Sequence, residues 1–164
     1  MMGSVAGELG GAAPGVVGWK LVFNTHQNAA VMGQASYSTT TMNQDIGFSP
    51  IANNKTAGPV VWLTTTPANE ANSAIARWTP MGDTAEQYVV GWLVTGATPT
   101  YKLARVTPAG AFLEGPTTIT TAKWGERDDP FRTHVNGDIV WAWFDTAGAT
   151  TFKVGRLRSG NTCP

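Results

Sequence analysis

One short connection concentrates most of the side chains that could do chemistry: Trp124, then Glu126, Arg127, Asp128 and Asp129, then Arg132 and His134. Carboxylates, guanidinium groups and an imidazole beside an indole can bind a polar ligand, with the flat ring against a sugar and the charged groups on its hydroxyls. Glycoside hydrolysis asks more, since it needs two carboxyls ~5–10 Å apart across the scissile bond. Asp128 and Asp129 are neighbours, and neighbours on extended chain point to opposite sides. Only one of them can serve, so the second carboxyl would have to come from Glu114, Glu126 or another residue. The plainer role for this run is exposed ion pairing and the capping of a turn. Ligand contact is expected at Trp78, Trp124, Arg127, Asp128, Asp129, Arg132 and His134, with no catalytic residue assigned.

Other chemistries find little material. Zinc sites need clustered histidine and cysteine, and His26, His134 and Cys163 lie far apart in the chain, so no metal site is expected. A phosphate-cradling loop needs a glycine-rich turn ahead of a helix, and no segment has a helical pattern. The Gly-x-Ser-x-Gly elbow of a serine nucleophile does not occur. No cofactor is expected. Cys163 has no second cysteine in the chain to pair with, which leaves it a free thiol or a link to another chain.

Composition narrows the partners. The chain has 164 residues, 42% hydrophobic and 13% charged, enough for one domain with its own core. Eleven basic and eleven acidic side chains cancel, so the electrostatic footprint of a nucleic-acid or anionic-membrane binder is missing. No run approaches the ~20 apolar residues that span a bilayer. The reading is a soluble chain; if it is exported, the signal lies outside this sequence.

The elements that must position these groups are strands. PFRTHV and DIVWAWF flank Asn136-Gly137, the dipeptide best suited to a two-residue type I′ hairpin turn. A third strand, TTFKVGRL, follows the turn at Asp145 to Gly148. Upstream, VVGWKLVF, VMGQASYS, a short extended piece at 46–51, VVWLTTT and SAIARW read as further strands, separated by Thr, Asn, Gly and Pro-rich connections. Residues 1–15 are Gly/Ala-rich and read as a flexible leader, 16–158 as the folded domain and 159–164 as a tail.

The pattern recurs. YVVGWLVTGATPTYKLARV, at 88–106, superimposes without a gap on IVWAWFDTAGATTFKVGRL, at 139–157. Trp92 falls on Trp143, Tyr101 on Phe152, Lys102 on Lys153 and Arg105 on Arg156, at one interval of about 50 residues, the spacing of propeller blades. Thr79-Pro80-Met81-Gly82 and Thr107-Pro108-Ala109-Gly110 repeat as type I turn sequences, but at a shorter interval, so the repeat is irregular. In DIVWAWF, Ile139, Trp141 and Trp143 form one apolar face and Val140, Ala142 and Phe144 the other. Such a strand is expected to be covered on both sides, and Gly91 and Ala142 at matched positions would allow close approach.

On Ser49-Pro50-Ile51, Val60-Val61-Trp62, Ile75-Ala76-Arg77-Trp78, Leu103-Ala104-Arg105-Val106, Phe112-Leu113-Glu114-Gly115-Pro116, Pro130-Phe131 and Ile139-Val140-Trp141, the chain resembles bacterial β-propeller-type repeat proteins. The resemblance covers residues 46–158, and its motifs are structural. Asp145-x-x-Gly148-x-x-Thr151-Phe152 resembles the Asp box of sialidase-type and other propellers, with Trp143 where a serine is usual. The resemblance implies an all-β fold of propeller-like blades built as antiparallel meanders, the Asp box only stabilising a turn. At about 45 residues per blade the chain holds about three units, fewer than the ~4 to 8 of closed propellers. It is therefore incomplete, closed by oligomerisation as a homo-oligomer, or of another fold. The expected function is a non-enzymatic binding module for a glycan or a protein surface, with a propeller glycosidase or a fragment of a larger propeller as competing readings. Trp62, Trp92, Trp141, Trp143 and Trp19 are expected in the core, where a buried aromatic removes ~150–250 Å² from water.

Overall fold

The computed structural model describes residues 7–25, 43–125, 129–145, 148 and 150–160. These residues form strands and no helix, in three antiparallel sheets. The first sheet contains β1 (Gly7–Pro14), β2 (Trp19–Thr25), β3 (Asp45–Ile51) and β4 (Val61–Trp62). The second contains β5 (Glu70–Trp78), β6 (Gln87–Val94), β7 (Thr100–Val106) and β8 (Phe112–Ile119), and the third β9 (Arg132–Thr133), β10 (Ile139–Phe144) and β11 (Phe152–Leu157). Each sheet is a meander, with every strand beside its neighbour in the chain.

Two cores hold the sheets face to face. Val22, Ile46 and Phe48 of the first sheet pack against Ile75, Tyr88, Val90, Trp92, Ala104 and Val106 of the second. The opposite face of the second sheet, with Ala74, Ala76, Trp78 and Val89, packs with Trp124, Phe131, Ile139 and Trp141. Side chains alternate between faces along each strand, so β6, with Tyr88 and Val90 on one side and Val89 on the other, has apolar residues on both faces. The first strands of successive sheets lie together, β1 against β5 and β5 against β9. Among the described residues the sheets make an open row, and no ring closes.

The expectation of an all-β chain is met; several finer expectations are corrected. The Gly/Ala-rich segment at 7–14 is strand β1, paired with β2 from Gly7↔Thr25 to Pro14↔Trp19. Its small residues have a packing reason. β1 bulges between Leu9 and Gly11, β5 bulges between Ala71 and Ala74, and the bulges meet where a Cβ on Gly10 would collide with the Ser73 side chain and backbone carbonyl. The extended piece at 46–51 is a full strand, β3, whereas VVWLTTT and PFRTHV contribute only the two-residue strands β4 and β9. The strand expected at VMGQASYS lies outside the described residues.

The Asn136-Gly137 hairpin is not the two-residue type. His134 N donates to Asp138 O at 2.7 Å and Gly137 N to His134 O at 2.8 Å. Residues 135–137 thus form a three-residue loop with Gly137 at φ 84°, the arrangement of a type I turn followed by a left-handed glycine. Asn136 uses its side chain instead, accepting from Asp138 N at 3.1 Å. The repeated Thr-Pro turns differ in rank: the 79–82 sequence joins the first and second strands of its sheet, the 107–110 sequence the third and fourth. A meander returns to the same end after every second strand, which explains similar turns at an interval shorter than the repeat.

The largest correction concerns β10. Ile139 and Trp141 are buried, but the opposite face is open, with Ala142 exposed and Phe144 59% exposed. Trp19, expected in the core, is 51% exposed. Trp92 and Trp141 are buried, while Trp62 and Trp143 are half-buried. Because Gly10 faces backbone that cannot swing away, overpacking there should cost ~1–3 kcal/mol or more. Gly10→Val is expected to lower the urea midpoint of unfolding accordingly, while Gly125→Ala, where an added Cβ meets nothing, leaves it unchanged.

Candidate functional site

Those residues nominated for ligand contact that the structure describes do not converge. Trp124 is 2% exposed. Its indole donates from Nε1 to Asn72 O at 2.7 Å, and its ring meets Tyr101, Phe131 and Trp141 edge-on at centroid distances of 4.6, 5.1 and 6.2 Å. It lies on Gly91, where an added Cβ would stand 2.7 Å from the indole. Trp78 is buried too, with the Arg105 guanidinium 5.1 Å from its ring centre, a cation–π contact. Both tryptophans, nominated for ligand contact, are core residues between the second and third sheets.

The polar members scatter as well. Asp129 Oδ1 accepts from Ala12 N of β1 at 2.8 Å, tying the entry of the third sheet to the first. Arg132 turns back to the carbonyls of Asp129 and Phe131. His134 sits in the β9–β10 turn, its Nδ1 3.0 Å from Asn136 Oδ1. Thr133 beside it bonds Arg77 O near the end of β5, whereas Trp124 bonds Asn72 near the start, so His134 and Trp124 lie toward opposite ends of the stack. Arg127, Asp128 and Glu126 fall outside the described residues, as do His26 and Cys163. The remaining carboxyl weighed for hydrolysis, Glu114, is ion-paired with Arg105 at 2.8 Å on β8. Asp145, in the stretch that resembles an Asp box, accepts from Trp143 Nε1 at 3.1 Å and pairs with Lys153. The Lys153 bond and then the indole hold its carboxyl below the usual range.

Two polar clusters were not anticipated. Asp138, 1% exposed, anchors the turn end of the third sheet. It accepts from Ser159 N at 2.6 Å and Ser159 Oγ at 2.8 Å and is paired with Arg156. The backbone bond from Ser159, then Ser159 Oγ, Asn136 and Arg156, hold it far below the ordinary carboxylate range. Above it opens a shallow cleft of about 330 Å³ lined by Asp138, Arg156, Arg158 and Gly160. Asp138 already answers Arg156, so this floor is a structural lock.

The second cluster joins the first two sheets at their other end. Asn24, Asp45, Thr64, Glu70 and Ser73 are all buried. Thr64 Oγ1 donates to Asp45 Oδ1 at 3.0 Å, Thr66 N to the same oxygen at 3.2 Å, and Thr66 Oγ1 to Glu70 Oε1 at 2.6 Å. Glu70 Oε2 is buried with no hydrogen-bond partner among the described residues. Burial raises the Glu70 carboxyl above its ordinary pKa, and the Asp45 charge adds to this against the Thr66 bond. The polar run at 67–72 reads as a connection in sequence, which concealed that Glu70 starts a strand. Among the described residues no three His, Cys, Asp or Glu side chains are grouped to hold a metal ion, and no helix is long and apolar enough to cross a membrane.

What remains accessible is a surface. The β10–β11 register pairs Val140 with Arg156, Ala142 with Val154 and Phe144 with Phe152. These residues share one face, on which Phe144 is 59% exposed and Phe152 and Val154 are each 63% exposed, and the two phenyl rings meet edge-on at 6.4 Å. At the far end of the row, the outer face of the first sheet carries Leu9, 64% exposed opposite Phe23, and Trp19, 51% exposed at the other end of β2, and Phe23 and Trp62 meet edge-on at 6.2 Å. No family model, curated protein or solved structure matches the chain.

Glu70 provides a pH test. A carboxyl raised in the folded state makes the native form bind its proton more tightly than the unfolded chain does. That contribution is fully present below the unfolded value of about 4.3 and is lost as pH rises through the folded value. Glu70→Gln, which cannot ionise, is expected to melt higher than the parent at pH 7, with the gap shrinking toward pH 4. Equal gaps at both pH values in thermal unfolding would show that burial does not raise the Glu70 carboxyl in the folded state.

Proposed function

We propose that this chain is a non-enzymatic binding module of propeller-like blade organisation, and that its partner is a protein surface. The observation that carries this reading is the open apolar face of the third sheet, with Phe144, Phe152 and Val154 exposed. Large apolar side chains grouped on a flat sheet face are what protein interfaces bury at their centres. The propeller-like reading draws support from three meanders packed face to face with their first strands together. A glycan ranks second, because sugar recognition needs accessible aromatic rings and the nominated Trp78 and Trp124 are enclosed.

Photo-crosslinking from position 152 separates the two. With benzoylphenylalanine in place of Phe152, irradiation is expected to give protein–protein adducts that fall when Val154→Ser is added. Absence of any adduct, together with glycan-array binding that Val154→Ser leaves unchanged, would overturn the protein reading in favour of the lectin-like one.

A further inference from the structure

Resting on the protein-binding reading, we infer that the partner of the open third-sheet face is the first sheet of a second copy, and that two copies close head-to-tail into one ring of six sheets. The internal repeat says what belongs on that face. Val140, Ala142, Phe144, Phe152, Val154 and Arg156 align with Val89, Gly91, Leu93, Tyr101, Leu103 and Arg105. In the second sheet this same set is covered: Val89 is 2% exposed, Gly91 lies under Trp124 and Phe131, and Tyr101 and Leu103 pack on the core shared with the third sheet. The complementary set, Tyr88, Val90, Trp92, Ala104 and Val106, packs on the preceding sheet, as do the aligned Ile139, Trp141 and Leu157. Each sheet therefore lays one defined face on the other face of the sheet before it.

That order leaves two unmatched faces, of opposite kind. The third sheet ends the row with a covered-type face that no other described sheet covers. The first sheet begins it with a covering-type face that has no described sheet beneath: its partner-facing residues are Val22, Ile46 and Phe48, so Leu9, Trp19, Leu21, Phe23, Ile51 and Trp62 point away. This face is rich in large rings, as the covering face of the third sheet is with Trp141 and Trp143. The floor it would meet has Ala142 at its centre, in the place where Gly91 admits Trp124. A contact between unlike faces is heterologous and yields a closed ring or an open filament. Three sheets per copy make six for two copies, within the ~4 to 8 blades at which propellers close.

The test is solution mass across a concentration series, by light scattering with reducing agent, on the full chain and two variants. The wild type is expected to be a discrete dimer. Phe152→Asp/Val154→Asp and Leu9→Asp/Trp19→Asp are each expected to weaken the dimer by tenfold or more while keeping the buried-tryptophan emission of the native state. Mixing the two variants should restore a heterodimer, because each retains the face that the other has lost. A monomeric wild type overturns the inference, and so does growth into polymers, which would mean that the ring does not close. A Leu9→Asp/Trp19→Asp variant that stays fully dimeric also overturns it, since the dimer would then join like faces. If the wild type is monomeric yet position 152 still crosslinks to another protein, the binding reading survives and only the second copy is excluded.

Discussion

Burial of the second sheet on both faces is the constraint on which the rest of the structure depends. β6 carries Tyr88, Val90 and Trp92 into one core and Val89 into the other, with Gly91 admitting the indole of Trp124. A sheet with two apolar faces is stable in water only when both are covered, so it dictates a layer on each side. Each outer layer contributes one face to that burial and is left with another. The open faces at the ends of the row are thus direct consequences of how its centre is built.

The polar groups serve the same stack. Asp129 reaches from the entry of the third sheet to the backbone of β1, and Trp124 from the same connection to Asn72 on β5. Asp138 gathers Ser159 and Arg156 at the turn end of the third sheet, and Asp45 and Glu70 sit in the threonine-rich cluster that joins the first two sheets. Buried carboxylates in such positions are satisfied by local donors, which orders turns and strand starts. Glu70, raised by burial and left with one oxygen unpartnered among the described residues, departs from that pattern, and there the fold retains a carboxyl at a cost to stability near neutral pH.

Much of the architecture was legible in the chain, because strand formation is local. The alternating apolar residues at 88–94 and 139–144, the glycine-bearing turns at 107–110 and 135–137, and the aligned copies at 88–106 and 139–157 all correspond to strands and turns of the structure. The failures were equally local in origin. β1 looked like a leader because glycine and alanine are poor strand formers in isolation, and their value appears only where β5 presses on Gly10. The hairpin at Asn136-Gly137 was misjudged because Asn136 had two uses, a left-handed backbone or a side-chain acceptor, and the wider loop selected the second.

The sequence by itself determined that the chain is all-β, that its strands follow one another as meanders, and that β10 has two apolar faces, since these follow from side-chain type and a period of two. Only the tertiary structure decided which faces are covered. It enclosed Trp124 and Trp78 and left Phe144, Phe152 and Trp19 in the open, although all are aromatic and sit in similar surroundings along the chain. The physical reason is that burial belongs to pairs of sheets: an apolar face becomes core only where another sheet lies opposite, and that depends on residues far away in the sequence.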